Sequence, residues 1–545
     1  MRGLFTRVVQ PGRTIYALVH VLLGEGQADM DVRRMDKLRR AAVAAVVEQH
    51  APIILDIVFT TIEEFAVPTT GFNMSHRNAL AVRGALEVHR MNYMSRRTFV
   101  VTLLLMGVGV PPAVRAQDSP QASGPVTLFE NVRIFDGKSA TLSAPSNVLV
   151  RGNKIETIST QPIAVDRRAD TRIIAGGGRT LMPGLIDNHW HAMLARTTPA
   201  EAMGDPGYNN LVAGEEATDT LMRGFTTVRD VGGPAFGLKR AIDEGIVKGP
   251  RIYPSGAMIT VTSGHGDFRQ LTDLPRTIGG MLTRMEQLGG AIVADSPDEV
   301  RVRTREQLMQ GASQIKLTAG GGVSSPFSPN DVMTFTEAEL RAAVEAAENW
   351  GTYVVAHAFT PAAIQRSIAA GVKCIEHGFL MDDATARLIA EKGIWLSLQP
   401  LPEEMRTGLP VGSVQRAKAD EVWPGIARTY EFAKKYKIKT AWGTDVLFSR
   451  ALAQRQGAIL ASLARWYTPA EALVMATSTN AELLALSGKR NPYPGKLGVL
   501  EQGALADLLL VDGNPLENIN LVADPGKNFL VIMKDGAIYK NTLPK

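Results

Sequence analysis

Beyond residue 117 the chain opens on segments in which apolar and polar residues alternate: "VTLFENVRIFDG", "SNVLVRGNKIETIST" and "DTRIIAGGGRTLMP", separated by Gly and Asn. Alternation with period two, broken by turn residues, predicts strands and hairpins, because successive strand side chains face opposite sides of a sheet. The far end repeats the pattern in "GVLEQGALADLLLVDG" and "NFLVIMKDGAIYKN", the second folding over an Asp-Gly turn. Residues 117–182 and 491–545 are therefore expected to pair into one small β-sandwich built from both ends.

Between them, over 183–490, the pattern changes. Short apolar runs alternate with helical stretches such as "TEAELRAAVEAAENWG" and "DATARLIAEKG", the βα repeat of a parallel sheet. Eight runs are found: "GLIDNHWH" (184–191), "FTTVRDV" (225–231), "RIYPSGAMI" (251–259), "SQIKLTA" (313–319), "YVVAHAF" (353–359), "KCIEHGF" (373–379), "IWLSLQ" (394–399) and "KTAWGTDV" (439–446). Eight βα units predict an α/β fold, the (β/α)8 or TIM barrel, with the β-sandwich as its smaller companion.

In such a barrel chemistry sits where the strands end at their carboxyl face. The polar residues of the runs fall there: His189 and His191 in the first, Lys316 in the fourth, His357 in the fifth, His377 in the sixth and Asp445 in the eighth. On a strand the two imidazoles of H-x-H share a face, with Trp190 turned the other way, and so form a chelating pair. Four of the five histidines beyond residue 116 lie on this rim, a convergence that chance repeats of a short motif do not produce. His265, in "TVTSGHGDF" after the third run, faces the same rim and can polarise a carbonyl or bind a substrate carboxylate. Gly320, Gly321 and Gly322 in "TAGGGVSS" offer backbone N–H groups to an anion, with Ser324 and Ser325 beside them. Arg229 and Asp230 are expected to pair with each other. No Gly-rich nucleotide-binding pattern is present.

Charge removes one class of partner. Residues 1–116 hold 14 Lys and Arg against 9 Asp and Glu, so all of the net charge of +5 lies there and the remainder is neutral. No nucleic-acid footprint follows. Within that front section "MNYMSRRTFVVTLLLMGVGVPPAVRAQDSP", from Met91, has a basic start, a short apolar stretch and a small-residue ending at Ala116, the pattern of a secretory signal. Its "SRRTFV" resembles the twin-arginine export signal. Residues 91–116 are thus expected to be a signal peptide and the mature chain periplasmic or secreted, free of membrane after processing, with 1–90 a misassigned upstream segment. Cys374 is the single cysteine, which excludes disulfides and Cys-based metal sites and reads as a small buried hydrophobe.

Together H-x-H in the first run, Lys in the fourth, His in the fifth and sixth and Asp in the eighth resemble the amidohydrolase superfamily over about residues 124–545. "MPGLIDNHWH", "TTVRDVGG", "IKLTAGGGVSS" and "CIEHG" are most similar to its branch of imidazolonepropionase and metal-dependent Xaa-Pro dipeptidases. The resemblance implies two divalent ions, zinc by preference. It places His189, His191 and Asp445 on the more buried ion and His357 and His377 on the more exposed one. A carbon dioxide-derived carbamate on Lys316 would bridge the two. Asp445 would shuttle the proton as a hydroxide attacks an amide, and His265, Gly321, Gly322 and Ser324 would contact substrate.

The expected reaction is hydrolysis of dipeptides or N-acyl amino acids, including aryl amides such as mycotoxin–phenylalanine conjugates. Lactonase, cyclic-amide hydrolase and deaminase are the rivals within the superfamily. Lys316 argues against deaminases, which mostly use one metal and lack the bridging lysine. A binding protein without catalysis is disfavoured because all six metal positions are filled. The substrate is a small molecule or peptide, and self-association is left open.

Overall fold

Strands buried on both faces are largely apolar, and against that background the runs that carry the site residues stand out by the charges they bury, Arg229, Lys316 and Glu376 among them. The computed structural model describes residues 124–166 and 169–544, all within the second of the chain's two units, Met1–Gln117 and Asp118–Lys545. The expected signal peptide and upstream segment lie outside the described residues.

The alternating segments form β1 (Val126–Ile134), β2 (Ser146–Arg151), β3 (Lys154–Ser159), β4 (Thr171–Ala175) and β5 (Thr180–Pro183). The apolar runs follow as β6 (Leu185–Trp190), β7 (Phe225–Asp230), β8 (Arg251–Pro254) and β9 (Met258–Thr260). After β10 (Ala291–Val293) come β11 (Ile315–Thr318), β12 (Val354–Ala358), β13 (Cys374–His377), β14 (Trp395–Leu398) and β15 (Thr440–Trp442). The C-terminal strands are β16 (Leu508–Val511), β17 (Phe529–Lys534) and β18 (Ala537–Asn541).

Both ends of the chain share one eight-stranded sheet, ordered β18-β17-β16-β5-β1-β2-β3, with β4 also paired to β1. β5 runs antiparallel to β16, with Met182 opposite Leu509, so the segment leading into the H-x-H pair is stitched to the C-terminal strands.

The site-bearing strands form two parallel sheets, β10-β9-β11-β12-β13-β14-β15 and β6-β7-β8. Hydrogen bonds cross both places where these sheets approach each other. Asp445 N donates to His189 O at 2.8 Å, and Ser313 N donates to Pro254 O at 2.8 Å. The first approach is close enough that a Cβ on Gly443 would lie 2.4 Å from His189 N. Asn480 reinforces it, its Nδ2 donating to Ile186 O at 2.7 Å and Trp442 O at 2.9 Å.

The helices follow their caps. Thr336 and Glu339 form a capping box opening Glu337–Asn349, and Asp382 caps Asp383–Glu391. The third run departs from the single strand expected over 251–259. Gly256, at φ 76°, interrupts it between β8 and β9.

Candidate metal centre

His189 and His191 bring both Nε2 atoms to one carboxylate oxygen, Asp445 Oδ1, at 3.1 and 3.2 Å. These three residues can hold a metal ion, their ligand atoms all lying within 4.8 Å of one another. His377 adjoins them, its ring centroid 5.0 Å from that of His189 and its Nδ1 3.9 Å from Asp445 Oδ2. His357 lies beyond, 4.6 Å from His377 between centroids. Trp190, between the two histidines of the pair, is buried. His377 and Asp445 take left-handed backbone conformations, φ 73° and 53°, which non-glycine residues adopt at a cost and which cluster at functional sites.

The partners of the imidazoles decide what the cluster can bind. His189 Nδ1 lies 2.7 Å from Glu376 Oε2, His191 Nδ1 2.9 Å from Gly232 O, His357 Nε2 2.7 Å from Gly321 O and His377 Nδ1 2.7 Å from Gln399 Oε1. Each of these oxygens is an acceptor, so the nitrogen facing it carries the proton and the other nitrogen of the ring holds a lone pair. The Gln399 amide also approaches His189 Nδ1, at 3.1 Å, but the nearer and anionic Glu376 takes the proton. His189 Nε2 and His191 Nε2 therefore meet Asp445 Oδ1 favourably only with a cation between them, either a proton on a ring nitrogen or a metal ion among the three atoms. Two imidazole nitrogens and a carboxylate, each imidazole fixed by a hydrogen bond to its far side, suit a zinc-type ion.

Charge at the centre is unevenly balanced. Burial lowers the His189 pKa, but the Asp445 and Glu376 carboxylates together outweigh it and the net shift is upward, so this position attracts a cation. Burial and then the neighbouring His377 and Lys316 hold His357 well below the ordinary imidazole range, and burial holds His377 down to about 3. Lys316, buried in β11, has its ammonium disfavoured by burial. Asp445 stays ionised against burial because His189 faces it.

Several residues around the cluster escape the sequence reading. Glu376, fully buried, joins His189 to Arg229, whose Nη2 reaches Glu376 Oε1 at 2.6 Å. Arg229 thus pairs with Glu376 and not, as expected, with Asp230, because adjacent strand residues face opposite ways. Asp230 instead accepts from Ala192 N at 2.7 Å, and burial raises its pKa to about 8. Asp187 accepts from His189 N at 3.0 Å and Thr444 Oγ1 at 2.7 Å, tying the H-x-H strand to the segment bearing Asp445. A charge inside an apolar run, as in "KCIEHGF", is the available signal for Glu376. Cys374, beside it, is buried as expected.

His265 joins the cluster, stacked on His357 with centroids 4.3 Å apart. A Cβ on Gly322 would lie 2.2 Å from His265 Nδ1, so only glycine lets the ring rest there. Ser325 Oγ lies 3.1 Å from His265 Nδ1 and accepts from Gly266 N at 2.8 Å. Ser324, half-buried, forms neither bond. The carbonyls of the glycine loop are engaged, Gly321 O by His357 and Gly322 O by Lys418 Nζ at 2.7 Å. Burial and the neighbouring His357 hold His265 neutral, which suits it to a carbonyl better than to a carboxylate.

Parallel βα units carrying a histidine–carboxylate cluster at the strand ends define a metal-dependent hydrolase. The chain belongs to the amidohydrolase family, whose model matches residues 180–538. It is similar to ochratoxinase from Aspergillus niger, 31% identical over 387 residues that make up 66% of this chain and 75% of that protein. Among solved structures it resembles a prolidase complexed with N-methylphosphonate-L-proline, with 33% identity, a TM-score of 0.70 and coverage of 76% of this chain and all of that one. A Xaa-Pro dipeptidase with bound methionine is similar at 30% identity and a TM-score of 0.66, over 76% of this chain and all of that one.

Proposed function

We propose that the protein is a binuclear amide hydrolase acting on dipeptides or N-acyl amino acids, with the two parallel sheets forming one (β/α)8 barrel and the eight-stranded sheet belonging to a flanking β-sandwich. The observation that carries this reading is that each of the four imidazoles has one nitrogen within 2.9 Å of an oxygen acceptor, which leaves its other nitrogen available to a metal ion. His189, His191 and Asp445 would hold one divalent ion, zinc by preference, and His357 and His377 a second. Ions held there would lower the pKa of water toward ~7 and polarise the scissile carbonyl.

The chain's own residues supply the rest. Asp445 takes the proton of the attacking water on a carboxylate oxygen and hands it to the nitrogen of the departing amine. Lys316, having lost one proton to become the neutral amine that burial favours, would bond through Nζ to the carbon of carbon dioxide and release a second proton, giving a carbamate whose carboxylate could bridge two divalent ions. Among the described residues, its ammonium makes no hydrogen bond or ion pair that this change would break. His265 donates to the substrate carbonyl or to its flanking group from above the cluster. The signal-like segment 91–116 directs the enzyme out of the cytoplasm.

Two related structures carry ligands named as a proline derivative and methionine, and each of these compounds has a free carboxylate. The substrate is therefore an amide whose leaving group is an amino acid with its carboxylate free, read in part by the loop at Gly321 and Gly322, the Gly320 N–H being taken by His357 O at 3.1 Å. The test compares N-acyl amino acids with their methyl esters. Leaving an anion site unpaired is expected to lower kcat/KM about a hundredfold. Equal cleavage of the neutral analogues would replace this reading with a general amidase or lactonase.

A further inference from the structure

The reaction leaves the buried ammonium of Lys418 unexplained. Lys418 lies on the helix Val414–Lys435, a hundred residues from the glycine loop in sequence, and is 7% exposed. Its Nζ donates to three backbone carbonyls of the segment after β11: Gly322 O at 2.7 Å, Ser325 O, and Ser328 O at 3.0 Å. An ammonium has three N–H groups, and all three are spent on one loop. The far end of the segment is pinned to the same helical turn, where Asn330 Nδ2 donates to Lys418 O at 2.9 Å and Glu421 Oε2 at 2.8 Å.

Other bonds hold the edges of the segment, Ser263 Oγ donating to Phe327 O at 2.6 Å and Gly266 N to Ser325 Oγ at 2.8 Å, but Lys418 is what draws its three carbonyls together. Ser328 Oγ and Asn330 Oδ1 are buried with no hydrogen-bond partner, so its own side chains do not satisfy it. Three carbonyls turned toward a common point repel one another, and only a positive charge makes the arrangement favourable. The same segment supplies the surfaces that seat His265, namely Gly322 under the ring and Ser325 Oγ at its Nδ1.

We propose that Lys418 is a positioning residue for substrate recognition, a built-in cation that folds residues 320–330 against His265 and so forms the substrate-side wall of the centre. This rests on the amide-hydrolase reading for its kinetic consequence, but not for its structural one. The carbonyl cradle selects a compact ammonium over a planar guanidinium, and it requires charge as well as volume.

The test uses the full chain, with Lys418→Ala to empty the cradle and Lys418→Met to keep its volume without charge. Hydrogen exchange of amides in 320–330 is expected to speed up about tenfold or more in both variants, with β12 unchanged. Methylammonium chloride, against sodium chloride at equal ionic strength, is expected to restore protection in Lys418→Ala and not in Lys418→Met, whose side chain fills the cradle. With an N-acyl amino acid, KM is expected to rise about tenfold in Lys418→Ala while kcat and bound metal stay near wild type, and methylammonium is expected to lower KM again. Wild-type exchange in both variants, or failure of methylammonium to protect Lys418→Ala, would overturn the proposal. Should Lys418→Ala not fold, unchanged exchange in Lys418→Met overturns it alone. The exchange measurements use no substrate, so they remain decisive if the hydrolase reading itself fails.

Discussion

Glu376 Oε2 lies 2.7 Å from His189 Nδ1, so a ligand-type imidazole is oriented by a carboxylate that the fold buries completely. The other oxygen of Glu376 is held by Arg229, which in turn donates through Nε to Asn188 O at 2.6 Å. Glu376→Gln keeps the shape and removes the charge. It is expected to weaken metal binding about 10- to 100-fold. Leaving the Arg229 guanidinium buried without its counter-ion should also destabilise the protein by about 3 kcal/mol or more. Metal titration and thermal melting check the two effects separately. Wild-type metal affinity would remove Glu376 from the orienting role.

Gly322 offers a test of His265 that leaves the histidine in place. Its backbone angles are open to alanine, but the added Cβ would meet His265 Nδ1 at 2.2 Å and push the ring aside. Gly322→Ala is expected to keep its melting temperature within a few degrees and to lose about tenfold or more in kcat/KM. Gly237→Ala, where nothing lies within 4 Å, serves as the neutral control. Wild-type kinetics in Gly322→Ala would show that the position of His265 does not matter.

Much of this centre is legible in the chain because buried parallel strands carry few polar residues. Histidines and an aspartate at the ends of successive apolar runs, and a lysine inside one, are therefore conspicuous. The partners of those residues are less legible. Gln399 reaches His377 from the next strand, and Lys418 reaches Gly322 from a helix, contacts that depend on how elements pack and leave no local period. Arg229 and Asp230 are adjacent in sequence, yet the strand separates their side chains, and the partner of Arg229, Glu376, stands on β13 in the other parallel sheet. The break in the third run at Gly256 is visible as a glycine but not as a second strand.

Lys316→Ala removes the nitrogen on which a bridging carbamate would form. Metal content is expected to fall to one ion or fewer per chain, with activity lost and partly restored by short carboxylates that enter the vacated space. Elemental analysis and an activity assay with added acetate or propionate check this. Two ions bound by the variant without help would remove the carbamate.

A chain beginning at Gln117 is expected to fold and turn over like the full one, since the family match and every described site residue lie beyond it. Loss of folding would make residues 1–116 structural. In a bacterial host a chain starting at Met91 is expected to be exported, and Arg96→Lys with Arg97→Lys to hold it in the cytoplasm. Unchanged export of the double variant would remove the twin-arginine reading.

The most direct measurement is to strip the chain with a chelator and follow hydrolysis of an N-acyl amino acid while zinc is added back in counted equivalents. The His189–His191–Asp445 group and the His357–His377 pair, four imidazoles with one lone pair each, predict no activity without metal and a plateau at two equivalents per chain. Activity that survives stripping, or a plateau at one equivalent, would contradict a binuclear hydrolase.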